Sequence, residues 1–372
     1  MREGSGTGVR QAHAAAPLAD PAPGQFRFAV TVALGMSVAT LVVAWVYDLP
    51  VRDPDSLAGP TWFRLPVILL AAFLLDVLPR ATARSWRGRD LRGLPAATRE
   101  VVRQRWTLPH VTFALVGLGA WYLTYASFRN LKSFVPFVNR HLWDSTLADI
   151  DRVLFFGHDP VEVTHAVFGT GAVAPFFSFV YIAWIVFVPA SLVVALVWSR
   201  DSAAGAWYVT AIAVDWVLGA ATYFVVPSLG PVYARPELFD ALPRTNVTAL
   251  QEVMMDERSE VLVNPFTTHA VQTIAAFASL HVGMCVTMCV MAELLRLQWG
   301  VRVFLWLFLV LTVPCTVYLG WHYAVDAVGG AVLGVAGVWI AGRGTGNAFR
   351  RRPASAQVLG AGGSSTARSR AA

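Results

Sequence analysis

Two of the eight histidines in the 372-residue chain stand in apolar sequence where a charge is unexpected. His281 lies in Ser279-Leu280-His281 near one end of an apolar run, and His322 lies in Gly320-Trp321-His322-Tyr323 where the last such run opens. Two titratable imidazoles at one membrane level can act as an acid and a base or as a nucleophile and an acid. Asp326 follows His322 by four residues, so on a helix the two side chains share a face. A carboxylate within a membrane helix is costly and marks a functional position by default. It can accept the Nδ1 proton of His322 and leave Nε2 as a directed nucleophile. The competing reading is an Asp–His pair that simply satisfies itself inside a bundle.

Chemistry on a phosphoryl group also needs cations. Arg235, in Tyr233-Ala234-Arg235-Pro236, follows the turn-rich Pro227-Ser228-Leu229-Gly230-Pro231. Its planar guanidinium suits phosphate oxygens. Arg129 and Lys132, the latter the only lysine, sit just beyond another apolar run and could serve the same purpose. The alternative for all three is an interfacial charge that snorkels. No carboxylate cluster with metal-ligand spacing is visible, so neither a metal nor another cofactor is expected. Cys285, Cys289 and Cys315 lie within apolar runs and read as buried, unpaired thiols.

The elements that must position these groups follow from composition. Hydrophobic residues make up 56% of the chain and charged ones only 14%, against roughly half and about a quarter in soluble domains. The sequence predicts an all-α integral membrane protein with about eight transmembrane helices: 28–47, 61–79, 109–128, 174–198, 205–226, 272–293, 303–319 and 323–342. Residues 1–27 and 343–372 read as disordered tails, and 28–108 as two additional helices with a basic loop. Intramembrane Asp215 and Asp76 are weaker functional candidates, while Gly329, Gly330, Gly334 and Gly337 read as small-residue helix packing.

With the N-terminus inside, the inner segments hold 20 of the 29 basic residues. That asymmetry predicts a multi-pass plasma-membrane protein with both termini cytoplasmic and loops 129–173 and 227–271 outside. It also accounts for the net charge of +6 without a nucleic-acid partner.

An Arg-Pro element, Ser279-Leu280-His281, then His322-Tyr323-x-x-Asp326, in that order, resembles the three signature motifs of the phosphatidic acid phosphatase type 2 superfamily. The Ser-Leu-His and His-Tyr-x-x-Asp forms look closest to its inositol phosphorylceramide synthase-like branch. The resemblance implies a six-helix catalytic core over 109–342 (spans 3 to 8). It implies His322 as the nucleophile of a phosphohistidine, Asp326 as its orienting partner and His281 as the acid for the leaving oxygen. Two departures stand out. Ser228 occupies the place of the phosphatases' Lys, seven residues before Arg235, and Cys315-Thr316 the place of their Ser-Arg. Arg129 and Lys132 are the candidates to replace those cations.

The expected function is therefore a membrane lipid phosphotransferase acting on an outer-leaflet lipid, with a lipid phosphate phosphatase as the alternative. Two remoter readings are a cytochrome with His281 and His322 on one haem, and a transporter using Asp215 and Asp326 as a proton relay.

Overall fold

A computed structural model describes residues 22–54, 61–88, 91–199 and 201–349. Among these, every regular element is helical. Seven helical segments are long and apolar enough to cross a membrane. They are α1 (Arg27–Val46), α2 (Thr61–Arg87), α4 (Leu108–Val138), α7 (Val173–Val193, continued by a π-helical turn Val194–Trp198), α8 (Ser202–Val225), α12 (Trp299–Tyr318) and α13 (Ala324–Gly344). Between them lie α3 (Leu94–Arg105), α5 (Asp144–Leu154), α6 (Pro160–Phe168), α9 (Pro231–Ala234), α10 (Asn246–Val263) and the apolar α11 (Leu280–Leu294).

The eighth expected span, 272–293, is corrected. The helix begins at Leu280, and its 15 residues reach about 22 Å, short of a ~30 Å hydrocarbon core. The chain before it, from Thr268 to Ser279, is non-helical yet buried at Gln272, Ile274, Ala276 and Ala278. Such backbone is tolerated at membrane depth only where protein satisfies it. Here Ala276 N donates to Ser228 O (3.0 Å), Phe277 N to Ser228 Oγ (3.0 Å), Ala278 N to Thr222 Oγ1 (3.2 Å) and Ser279 N to Asp326 O (3.0 Å). Ser279 then caps α11 by accepting from Val282 N.

Three other boundaries move. α4 runs ten residues past the expected 128, so Arg129 and Lys132 stand on its last turns rather than in a loop. The basic stretch 80–108 holds the end of α2 and all of α3. The helical turn Pro23–Phe26 lies inside the stretch expected to be a tail, with Phe26 fully buried against Phe113. The rest of the expected tails, 1–21 and 350–372, lies outside the described residues.

α8 is the hub, packed by α1, α4, α11 and α13 and buried along most of its length. The closest crossing, α11 on α13, sets the site. A Cβ on Gly330 would stand 2.2 Å from Ser279 O, and one on Gly334 2.2 Å from Gly283 O. Backbone therefore meets backbone, as the small-residue reading of these glycines requires. Gly334→Ala is expected to cost about 1–3 kcal/mol through overpacking, and thermal unfolding in detergent should show a midpoint several degrees lower. An unchanged midpoint would mean that the crossing can relax.

Candidate active site

His281 is the second residue of α11, and His322 lies in the turn leading into α13. That turn is fixed by Gly320, whose φ of +75° suits a residue without Cβ. Thr316 O accepts from Trp321 N (3.0 Å) and from His322 N (3.3 Å), closing the end of α12.

His322 is buried, and its Nδ1 lies 2.9 Å from Ala276 O and 3.3 Å from Asp326 Oδ2. A carbonyl and a carboxylate can only accept, so Nδ1 carries the proton and Nε2 keeps its lone pair. His281 Nδ1 lies 3.0 Å from that Nε2 and must be the donor between them. His281 is held by Trp184 and Tyr181, with ring centroids 4.2 and 4.9 Å away. Trp184 Nε1 donates to His281 O (3.1 Å), and Tyr181 stacks on Trp321.

Asp326 also accepts from Tyr323 N (2.9 Å), so it caps α13 as well as touching His322. Two further carboxylates, not among the candidates from sequence, build the surroundings. Asp144 accepts from Leu229 N (3.0 Å), Gly230 N (2.9 Å) and Tyr323 Oη (3.0 Å). Asp151 accepts from Ala324 N (2.7 Å) and Val325 N (2.8 Å), an anion at the α13 N-terminus. Burial pushes the Asp151 carboxyl up to about 6, while those two N–H bonds pull it down. Both stand on the inward face of α5, with Leu147 and Ala148 packed under Tyr323. The i, i+4, i+7 pattern Asp144, Ala148, Asp151 was the available signal.

The histidines open on a cavity of about 580 Å³ whose wall includes Arg129, Lys132 and Glu257. Lys132 Nζ lies 4.8 Å from the Tyr223 ring centroid, a cation–π contact. Arg129 donates to Pro54 O (2.8 Å). Arg129 Nε, Glu257 Oε1 and Trp321 Nε1 are buried and have no hydrogen-bond partner among the described residues. From this polar end the cavity continues between α4 and α7 along Leu118, Trp121, Val188, Leu192 and Leu196. Arg235 is not on its wall; it pairs with Asp159, whose other oxygen caps α6 through Val161 N. The structure thus brings His281, His322, Asp326, Arg129 and Lys132 together and turns Arg235 toward α6. Asp215 is buried beneath Gly337 and accepts from Thr287 Oγ1 (2.7 Å), away from the cavity. Among the described residues no group of three or more His, Cys, Asp or Glu side chains could hold a metal.

The sequence matches the PAP2 superfamily over residues 145–340, more than half of the chain. The chain belongs to the PAP2 superfamily. Its members are generally phosphatases and phosphotransferases. No curated protein and no solved structure matches the chain. The matched stretch contains both histidines and Asp326 but ends short of α4 on its N-terminal side. Arg129 and Lys132 therefore come from outside the PAP2 match.

The two departures from the PAP2 phosphatase motifs have structural occupations. Ser228 holds the buried chain before α11 through both its hydroxyl and its carbonyl, and Ala276 O in that chain accepts the hydrogen bond from His322 Nδ1. Thr316 holds the His322 turn through its carbonyl, and Cys315 is buried with Sγ 3.2 Å from Phe177 O. Positions that carry cations in the PAP2 phosphatases carry backbone-positioning groups here.

Proposed function

We propose that the protein is a membrane lipid phosphotransferase, akin to the inositol phosphorylceramide synthase-like branch, working through a phosphohistidine on His322. The observation that carries this reading is the shared cavity: a directed imidazole nitrogen, a second imidazole beside it and two cations at one end, with an apolar channel at the other. The polar end suits a phosphate and the channel a hydrocarbon chain. The reaction would run on the extracytoplasmic face, the side to which the basic asymmetry of the sequence assigns the loops carrying the motifs.

In the first step His322 Nε2 bonds to phosphorus and the bond to the leaving oxygen breaks. His281, entering as an imidazolium with the substrate's phosphate as counter-charge, gives its Nδ1 proton to that oxygen. In the second step an acceptor hydroxyl bonds to phosphorus, its proton passes to neutral His281, and the P–N bond breaks. The resting 3.0 Å contact between the imidazoles must open to admit phosphorus, since nucleophile and leaving group take opposite sides of it. Arg129 and Lys132 hold the oxygens as charge develops.

Charge favours transfer from a diester over hydrolysis of a monoester. With Glu257 ionised and the His281 imidazolium offset by the Asp326 carboxylate, Arg129, Lys132 and Glu257 leave the site at a net +1, matched to a monoanionic diester rather than a dianion. Burial raises the Glu257 carboxyl and Arg129 opposes that rise. The test offers purified protein a set of lipid phosphodiesters and monoesters with and without a polyol or lipid alcohol, products read by mass. Transfer product should exceed hydrolysis far beyond the acceptor's mole fraction against water. Release of inorganic phosphate from a monoester, unaffected by any acceptor, would assign a phosphatase instead.

The cations rank differently by position than by motif. Lys132→Met is expected to lower kcat/KM by about 10- to 100-fold through loss of a buried charge-assisted contact. Arg235→Ala is expected to lower it less, because Arg235 is off the cavity wall and pairs with Asp159. Steady-state kinetics on both variants decide this, and a larger loss at Arg235 would return the phosphate to the Arg-Pro element.

A further inference from the structure

We propose that the pocket at the end of the bundle opposite the histidines binds the phosphate of an anionic lipid headgroup. The pocket is about 950 Å³ and lies where α2 and α3 end, α4 and α8 begin and α7 gives way to its π-helical turn. His110 on its wall and Lys132 in the active-site cavity are 22 residues apart on α4, about 33 Å along the helix, so the two cavities are separate sites.

Arg80, Arg84 and Arg87 follow the i, i+4, i+7 pattern on one face of α2, and Arg105 joins them from α3. Among the described residues the one carboxylate on the wall is Asp76. It is buried and accepts from Arg80 Nε (3.0 Å), Arg105 Nε (2.9 Å) and Trp106 Nε1 (3.2 Å). Four guanidinium groups against one carboxylate leave a surplus of three positive charges, gathered by a buried anchor that orients two of them. Arg84 bonds the neutral amide of Gln104 (2.8 Å), which consumes none of that surplus. Nearby Glu100 is off the wall and pairs with Arg103, and Asp201 caps α8 through Ala204 N. Trp198 Nε1 is a buried donor on the wall with no partner among the described residues. A planar cationic cluster with a spare N–H is what a phosphate group with several acceptor oxygens satisfies.

The same wall carries Leu75, 60% exposed on α2, together with Pro79 and Ala83. One turn further along, Trp86 is 78% exposed, as expected of an aromatic anchor at a headgroup level. The volume exceeds what a lone phosphate fills, and its apolar side faces lipid, so a phospholipid of the adjacent leaflet fits both halves.

Native mass spectrometry of the full-length protein in detergent, with phosphatidylglycerol or phosphatidylcholine added, tests this. Phosphatidylglycerol should stay bound where phosphatidylcholine does not. Arg84→Gln with Arg87→Gln should weaken that binding roughly tenfold or more, while Arg84→Lys with Arg87→Lys should retain much of it. Lys132→Met, which strips a cation from the substrate cavity, should keep it intact, because the site is not that cavity. Inorganic phosphate is the second arm: displacement of the lipid at millimolar concentration would assign the same phosphate site to a soluble ester, and failure to displace it supports the lipid. Equal retention of both lipids, or phosphatidylglycerol unchanged by the glutamine pair, would overturn the proposal.

Discussion

His322→Asn is expected to give a protein that folds, keeps its affinity for lipid and loses turnover by roughly 10,000-fold or more. Alanine is the blunter probe, because His322 is buried and its removal leaves Ala276 O without its donor and opens a cavity. Asparagine separates the two roles of the ring. Its amide N–H can replace Nδ1 as donor to Ala276 O, 2.9 Å away in the native protein, so the turn before α13 stays anchored. Nothing in asparagine replaces Nε2, the ring nitrogen that carries a lone pair and is freed for phosphorus once the contact with His281 opens. A covalent route has no second route of similar barrier once its nucleophile is gone, which is why the loss should be so large. Two readouts are needed: turnover of the best lipid from the mass-resolved assay, and acid-labile label on the protein after brief exposure to a substrate with labelled phosphorus. Wild-type protein should carry the label and the variant none. Turnover within tenfold of wild type would show that phosphorus never bonds to His322 and that its ring carries no essential proton, leaving His281 alone to assist a direct attack by the acceptor.

How far the sequence reveals such a site depends on how each residue earns its place. His281, His322 and Asp326 are legible because a titratable group in an apolar run is costly and four residues bring His322 and Asp326 together, although His322 reaches Asp326 from the turn before α13 and not from a shared helix face. The crossing that joins them is legible in Gly330 and Gly334. Lys132 is legible as a cation but not in its place. Arg129 and Asn130 interrupt the apolar run, so the span reads as ending there. α4 continues because Phe134, Val135 and Phe137 resume it and carry Lys132 into the cavity wall. The chain before α11 misleads for a different reason. Val271, Ile274, Ala275 and Ala276 are as apolar as a helix requires, and what keeps this chain non-helical is a set of partners 47 to 56 residues distant: Thr222, Ser228 and Asp326. Asp144 and Asp151 show a shared helix face with Ala148, but what they hold is illegible for the same cause, since their carboxylates are met by backbone N–H groups from α13 and from the 227–231 turn. No local pattern records a partner so far along the chain.

Asp326→Asn is expected to lower kcat by about 100-fold, toward the small end of the range of roughly 100- to 10,000-fold that orienting carboxylates span. Two losses contribute to that range elsewhere: the tautomer of the histidine and the charge that stabilises it as a bond forms at the far nitrogen. Here the tautomer has a second guardian. Ala276 O lies 2.9 Å from Nδ1, closer than Asp326 Oδ2 at 3.3 Å, so the proton stays on Nδ1 without the carboxylate. Asparagine also keeps the fold, because its carbonyl oxygen can accept from Tyr323 N as Oδ2 does at 2.9 Å. Its amide takes the place of Oδ1, which is buried and has no partner among the described residues. What disappears is the negative charge beside an imidazole that becomes cationic when Nε2 bonds to phosphorus, and that acts on the chemical step alone. kcat should therefore fall while KM stays within a few-fold, and thermal unfolding should place the variant near wild type. A kcat close to wild type would reduce Asp326 to a helix cap. A loss beyond 10,000-fold, with the fold intact, would mean that the Ala276 carbonyl does not hold the tautomer.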